Sequence, residues 1–313
     1  MRAGKLRKES SVYRVIDERA VRYFAMLRPR ILLDEHIPDC CHVCQCDIVG
    51  LLMTPSPEKF LRARITQRQD VSADLWAIGV DPGGEFRFTA GQYATLGVET
   101  PHKLIERPYS IVSSQYEREV EFFIELVPRG ELSPLLYELR PGDPLFVRKT
   151  AKGRFTLDTT SGRTRHLLLC TVTGIAPFLS YVRTLYRDWQ EERFKGEHEL
   201  FVIQGASRSW EFGYRTEMER IAKEVPWLTY VPTISRPWED THWTGETGRA
   251  DDLIRKYADQ WSLRGTDTTA YLSGHPEMIE HGKAVLNRCG WEKGALKQEV
   301  YFIPQGKAPT NPD

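Results

Sequence analysis

The sequence predicts a two-domain chain, β then α/β: an antiparallel barrel or sandwich of short strands, then a doubly wound parallel sheet of five strands. The first observation is length, since 313 residues suffice for about two domains of roughly 150 residues each. The second is the alternation of apolar and polar residues between Phe60 and about Asp158, which has the period of half-buried strands. The third is a change of pattern after Arg165, where continuous apolar runs alternate with segments of helical spacing.

Composition removes two function classes. Lys plus Arg and Asp plus Glu number 43 each, so no basic field advertises nucleic acid or an anionic membrane. No apolar stretch approaches the roughly 18 residues of a spanning helix, and membrane insertion is not expected.

The N-terminal segment stands apart. Residues 2–30 carry nine Arg or Lys against three acids, whereas 31–52 carry four acids and no Lys or Arg. The segment lacks the apolar core and small-residue cleavage site of a secretory leader, and Glu9, Asp17 and Glu18 oppose a transit peptide. A cytoplasmic protein is therefore expected. Cys40, Cys41, Cys44 and Cys46, with His36 and His42, could in principle ligate a metal. The run has no second knuckle to close a tetrahedron, so no metal is expected. Met53 precedes T-P-S-P-E-K-F, the opening of a first strand, and residues 1–53 are read as an extension. Cys170 and Cys289 sit alone in apolar surroundings and are expected to be small core residues, outside any disulfide framework.

In the first half, Val120, Phe122, Ile124 and Leu126 alternate with Glu119, Glu121, Phe123 and Glu125. Further strands are predicted over Leu75–Val80, Tyr93–Val98, Tyr109–Ser113 and Leu145–Lys149. Turn clusters such as Asp81-Pro82-Gly83-Gly84 and Pro141-Gly142-Asp143 separate them. In the second half, strands are predicted over His166–Val172, Leu200–Gly205, Leu228–Ser235, Thr269–Ser273 and Leu296–Phe302. Helices are predicted over Phe178–Trp189, Thr216–Glu224, Asp251–Trp261 and Pro276–Cys289. Ligands of such sheets bind at the carboxyl ends of the strands, so chemistry is sought after Val172, Gly205, Ser235 and Ser273.

In Thr171-Val172-Thr173-Gly174-Ile175-Ala176-Pro177-Phe178, Gly174 marks a turn and Pro177 the first helical positions. Backbone amides there can face a pyrophosphate, although one glycine at such a turn is as often a plain structural joint. Five motifs in order make the signal specific: R-P-Y-S at 107–110, G-E-L-S at 130–133, T-V-T-G-I-A-P-F at 171–178, S-G-H-P-E-M at 273–278 and E-V-Y at 299–301. Over about residues 58–302 the chain resembles the ferredoxin–NADP reductase family.

The resemblance implies a six-stranded antiparallel FAD-binding barrel over 54–160, an NADP-binding domain over 161–303 and a tail over 304–313. By the same resemblance, Arg107 neutralises the flavin pyrophosphate through its guanidinium fork and Tyr109, after Pro108, lays its ring on the isoalloxazine. Ser110 stands beside flavin N5. Val127 and Leu132 line the same stretch, Gly130 lets backbone approach the FAD phosphates, and Ser133 donates to them or caps the helix that follows. Thr173, Gly174 and Gly274 hold the nicotinamide nucleotide. Ser273 occupies the place of a family cysteine against nicotinamide C4, and Glu299 organises that site. Tyr301 covers the flavin, with Phe302 as substitute and Pro304 in a possible lid. Ser110, Ser273, Glu299 and Tyr301 thus form the expected catalytic set. Val172 departs from the family glycine, and its β-branched side chain favours strand geometry.

Arg208, Ser235, Arg236 and Arg249 fall where NADP-selective members place cations for the adenosine 2′-phosphate. The implied activity is hydride transfer from NADPH to FAD, reversibly, with single electrons passing to a separate ferredoxin or flavodoxin. The carrier must be separate because no C-x4-C-x2-C cluster motif is present. Arg148, Lys149, Lys152 and Arg154 offer a basic patch to an acidic carrier, or simply a solvated loop. Three alternatives stay open: a reductase component serving an oxygenase or another dedicated system, a non-catalytic flavin-binding redox sensor or electron-transfer subunit, and an N-terminal metal-binding module fused to an enzyme.

Overall fold

A computed structural model gives the fold, and residues 59–301 are described. The cysteine and histidine run at 36–46, Met53, Phe302 and Pro304 lie outside the described residues. Six strands make the first sheet: β1 (Phe60–Asp70), β2 (Leu75–Asp81), β3 (Tyr93–Glu99), β4 (Leu104–Ser110), β5 (Val120–Glu125) and β6 (Pro144–Arg148). They pair antiparallel in the order β4-β3-β6-β1-β2-β5. An extra residue in β1 between Ile65 and Gln67 bends that strand. The two end strands then approach, with Ile111 bridging Phe122 and Val112 N–H donating to Glu121 O at 2.9 Å. Inside, Ile65, Trp76, Ile78, Leu96, Phe122 and Val147 are fully buried, plugged by Leu132 and Leu136 of the helix α1 (Ser133–Glu138).

Strand β4 ends on R-P-Y-S but begins at Leu104 and stops at Ser110 rather than covering Tyr109–Ser113, and so takes in Glu106, Arg107 and Pro108, residue types uncommon in strands. The sheet order explains their tolerance. β4 is the terminal strand, where proline removes no ladder bond that a further neighbour would need and charges can face water.

The second sheet is parallel: β7 (Arg165–Thr171), β8 (Glu199–Ala206), β9 (Leu228–Ile234), β10 (Glu246–Thr247), β11 (Thr268–Gly274) and β12 (Leu296–Val300), in the order β10-β9-β8-β7-β11-β12. The five expected strands are present, and β10 adds a two-residue edge too short to carry a hydrophobic signal. Helices α2 (Ala176–Gln190), α3 (Arg215–Glu224), α4 (Ile254–Gln260) and α5 (Pro276–Arg288) cover the sheet. Leu167, Leu168, Leu169 and Cys170 are buried on both faces of β7, as a central parallel strand requires. Cys289 is exposed at the end of α5, contrary to the core position expected for it. Among the described residues no helix is long and apolar enough to cross a membrane.

A shared core joins the two sheets: Leu75, Ala77 and Phe123 of the first pack with Phe178, Tyr214 and Met218 of the second. Above it, Arg183 of α2 donates to Glu121 of β5 and, at 2.8 Å on both oxygens, to Glu217 of α3. Tyr214 donates to Glu121 at 2.7 Å.

Strand β7 stops at Thr171, and Val172 opens a 3-10 turn (Val172–Ile175) with φ of 41°. Strand geometry was expected at Val172, and the turn overrides that preference. A β-branched side chain in the left-handed region is strained, at about 1–2 kcal/mol. Its contacts with the neighbouring core clusters oppose the strain. The usual order of stability should therefore invert, with Val172→Gly more stable than Val172→Ala by about 1 kcal/mol in urea denaturation. An alanine variant as stable as the glycine variant would show that no strain resides there.

Candidate active site

Strand order reverses between β7 and β11, so the turns after these strands border one crevice. The walls are close: a Cβ on Gly174 would lie 2.4 Å from Ser273 O. Gly274 has φ of 121°, and a Cβ there would meet Thr171 Oγ1 at 2.4 Å. No other residue type fits either position. Thr171 Oγ1 also accepts from His275 N–H at 3.1 Å, which ties the two turns together.

Ser273, Glu299 and Ser110 meet in this crevice. Ser273 pairs with Glu299 in the β11–β12 register, and Ser110, the last residue of β4, donates its hydroxyl to Glu299 Oε1. A side chain of the first sheet thus contacts one of the second at the seam. Burial pushes the Glu299 carboxyl above its ordinary range, and the Ser110 bond offsets part of that rise. The Ser273 hydroxyl is fully buried and, among the described residues, has no hydrogen-bond partner. Tyr301 crosses the crevice, its N–H donating to Gly274 O and its hydroxyl to Thr173 O, each at 3.1 Å. Burial, with the Glu299 charge, raises the Tyr301 phenol pKa. The four residues of the expected catalytic set therefore lie around one crevice.

Tyr109 precedes Ser110 on the edge strand, and its half-buried ring packs on the barrel core. Burial raises its phenol pKa, against a lowering by Arg107. Arg107 and Pro108 are exposed on the same strand. The Arg107 guanidinium bonds Glu131, which also holds Lys103 at 2.8 Å. Ser133 is the first helical residue rather than the cap, a place taken by Leu132. The Ser133 hydroxyl closes the turn from within, accepting from Val127 N–H at 3.0 Å and donating to Val127 O at 3.3 Å. Gly130 N–H donates to Val127 O at 2.8 Å, so Val127, Gly130, Leu132 and Ser133 form one small loop.

The cations expected for a 2′-phosphate cluster at the carboxyl ends of β8 and β9. Ser235 N–H donates to Ala206 O at 2.9 Å, Arg236 N–H to Ser207 O at 3.1 Å and Gly248 N–H to Ile234 O at 2.9 Å. Arg208, Ser235, Arg236 and Arg249 are thereby brought to one rim. Each guanidinium has an acidic neighbour: Glu239 and Glu211 for Arg208, Glu239 for Arg236, Asp251 for Arg249. Sequence reasoning missed these acids and Glu131. The local pairs, Arg208 with Glu211, Arg236 with Glu239 and Arg249 with Asp251, carried a weak signal of an acid two or three residues away, whereas Arg107 with Glu131 and Arg208 with Glu239 carried none. In the patch at 148–154, Arg148 is similarly occupied by Glu106, at 2.6 and 2.7 Å.

These groups fit a flavin and a nicotinamide nucleotide. An unpartnered buried hydroxyl at Ser273, a glycine-lined turn and an exposed arginine fork supply the small polar, close-approach and anion contacts that such ligands need.

Comparison with known proteins agrees. Residues 62–157 match the oxidoreductase FAD-binding domain family and residues 168–283 the oxidoreductase NAD-binding domain family. FAD and a nicotinamide nucleotide are therefore the cofactors of this pair of domains. The ferredoxin–NADP reductase of Pseudomonas aeruginosa is 30% identical over 218 residues, 67% of this chain and 81% of the relative. The flavodoxin/ferredoxin–NADP reductase of Escherichia coli K12 is 32% identical over 164 residues, 52% of this chain. The chain spans 63% of the length of that relative. A ferredoxin NADP+ reductase from Neisseria gonorrhoeae, solved with FAD and NADP bound, has the same fold. It aligns with a TM-score of 0.69 and 24% identity, covering 78% of this chain and 99% of its own.

The raised Glu299 pKa fixes a stability signature. A buried carboxyl that binds its proton more tightly when folded leaves stability intact below its unfolded pKa and loses it as pH rises through the folded one. Glu299→Gln, which still accepts from Ser110, should melt above the parent at pH 8 and level with it near pH 4. Equal melting temperatures at both values in scanning calorimetry would contradict the assignment.

Proposed function

This chain belongs to the ferredoxin–NADP reductase family, and from that membership we propose that it transfers hydride between NADPH and bound FAD. It exchanges single electrons with a separate carrier, a ferredoxin or flavodoxin. The observation that carries the reading is the Ser110–Glu299 bond beside the unpartnered Ser273 hydroxyl. It puts a hydroxyl from the flavin domain, and a carboxyl and a hydroxyl from the nucleotide domain, in one crevice where the domains meet. Flavin, when bound, supplies the conversion between two-electron and one-electron chemistry.

The protein supplies position and electrostatics. Tyr109 offers a ring held by the barrel core, and Arg107 a guanidinium for the pyrophosphate once released from Glu131. Ser110 and Glu299 hold a hydrogen-bonded proton at the crevice without needing a nucleophile or an acid–base dyad. Ser273 offers a small donor to the nicotinamide in place of a thiol. Tyr301 occupies the crevice and yields it to the nicotinamide ring. Arg208, Ser235, Arg236 and Arg249 receive the adenosine end. We assign the chain and its carrier to the cytoplasm; among the described residues no helix is long and apolar enough to cross a membrane.

Anaerobic titration of the purified flavoprotein with NADPH and NADH in parallel tests this. The flavin bands should bleach with both, at lower concentration with NADPH, and Arg236→Ala should narrow the difference. A flavin spectrum indifferent to both nucleotides would favour the non-catalytic sensor instead, with Val172 and Ser273 as the decisive departures.

A further inference from the structure

The arginines at the rim of β8 and β9 are not free. Arg208 Nε donates to Glu239 Oε2 at 2.7 Å and its Nη1 to Glu211 Oε1 at 3.1 Å, while Arg236 Nη1 lies 3.6 Å from Glu239 Oε1. One carboxylate, Glu239, thus spans both guanidinium groups. The two arginines and two glutamates of the cluster sum to zero charge, so it offers no net attraction to a dianion.

Backbone bonds hold this arrangement. Glu239 ends the 3-10 turn Pro237–Glu239, its N–H donating to Arg236 O at 3.0 Å. The next residue, Asp240, is buried and accepts from Ser209 N–H at 3.1 Å, which pins the β9 loop to the β8 loop. Glu211 is fixed too, since its second oxygen accepts from Ser207 N–H at 2.8 Å. Among the described residues Glu239 has no such anchor, and its side chain is 34% exposed against 16% for Glu211. It is the acid that can swing away.

We propose that Glu239 is a specificity-determining residue: a built-in carboxylate that competes with the adenosine 2′-phosphate for Arg208 and Arg236. This rests on the nucleotide reading above and sharpens it. A 2′-phosphate carries between one and two negative charges at neutral pH and needs the open face of a guanidinium fork for paired hydrogen bonds. It must displace Glu239 to obtain one. An unphosphorylated ribose makes no such demand, so Glu239 weakens NADP(H) selectively and brings it closer to NAD(H). The competition is electrostatic and is screened by salt.

The test uses the full chain and measures binding, not turnover, with 2′-phospho-AMP and 5′-AMP as probes in titration calorimetry. Glu239→Gln and Glu239→Ala should each tighten 2′-phospho-AMP by about three- to fivefold, the upper scale of one partly exposed ion pair. They should leave 5′-AMP within about twofold. The gain should shrink as ionic strength rises. Arg236→Ala separates the two levels of the argument. If it weakens 2′-phospho-AMP while both Glu239 variants bind like the parent, the competing role of Glu239 is wrong and the phosphate site stands. If the parent binds the two probes equally and neither Arg236→Ala nor the Glu239 variants change this, the phosphate site is misplaced and the proposal falls with it.

Discussion

The distance between two backbone turns constrains everything at the crevice. The turn after β7 lies so close to the end of β11 that one additional carbon on Gly174 would collide with the Ser273 carbonyl. That approach is what makes Thr171 reach the N–H of His275 and lets Tyr301 span from Gly274 to Thr173. It also forces Val172 into a conformation that its side chain resists. A strained residue at a site of this kind is held by packing elsewhere, here by the core shared with the first sheet and by the small cluster of Ala206, Phe212 and Ile234. The closeness leaves the Ser273 hydroxyl buried with no hydrogen-bond partner among the described residues, a state costing about 1–3 kcal/mol. Such a cost is sustained where a ligand repays the hydrogen bond.

The seam between the sheets is the second requirement, because Ser110 and Glu299 come from different ones. Arg183 secures it. A guanidinium this enclosed is costly to desolvate, and three carboxylate contacts with Glu121 and Glu217 compensate and keep it charged, its pKa raised. Around it, Ser180 donates to Ser113 O at 2.7 Å and Ser114 meets Thr184 at 3.1 Å. These directional bonds fix what the shared apolar core alone would leave free to slide. The position of Ser110 against Glu299 follows from them.

Charge neutrality recurs at every scale. The chain as a whole is balanced, and so are Arg208 and Arg236 with Glu211 and Glu239, and Arg249 with Asp251, while Arg107 shares Glu131 with Lys103. The arginines proposed to bind phosphate are therefore held in defined places rather than left as mobile cations. Order in the site is obtained at some expense of attraction, since an incoming phosphate meets a partner already in position. The balance between the two is set by how firmly each acid is anchored.

Much of this was legible in residue order. Alternation marked β5, continuous apolar runs marked the parallel strands, and four of the five short motifs marked the crevice, the fifth, G-E-L-S, marking a separate loop. What failed to register was non-local. The strand expected over Tyr109–Ser113 lies instead over Leu104–Ser110, because the sheet order puts it on an edge, where charge and proline are tolerated. Ser133 reads as a cap until the loop folds its hydroxyl onto Val127. Cys289 reads as core until α5 turns it outward. The sequence by itself determined the two periodicities, and hence the two sheets, because side-chain alternation is a property of consecutive residues. It also determined which residue types stand at the strand ends. Only the tertiary structure decided which of those ends meet and which charges arrive already paired. Strand order and loop docking bring together residues distant along the chain, such as Ser110 with Glu299 and Arg208 with Glu239, and no local pattern encodes that distance.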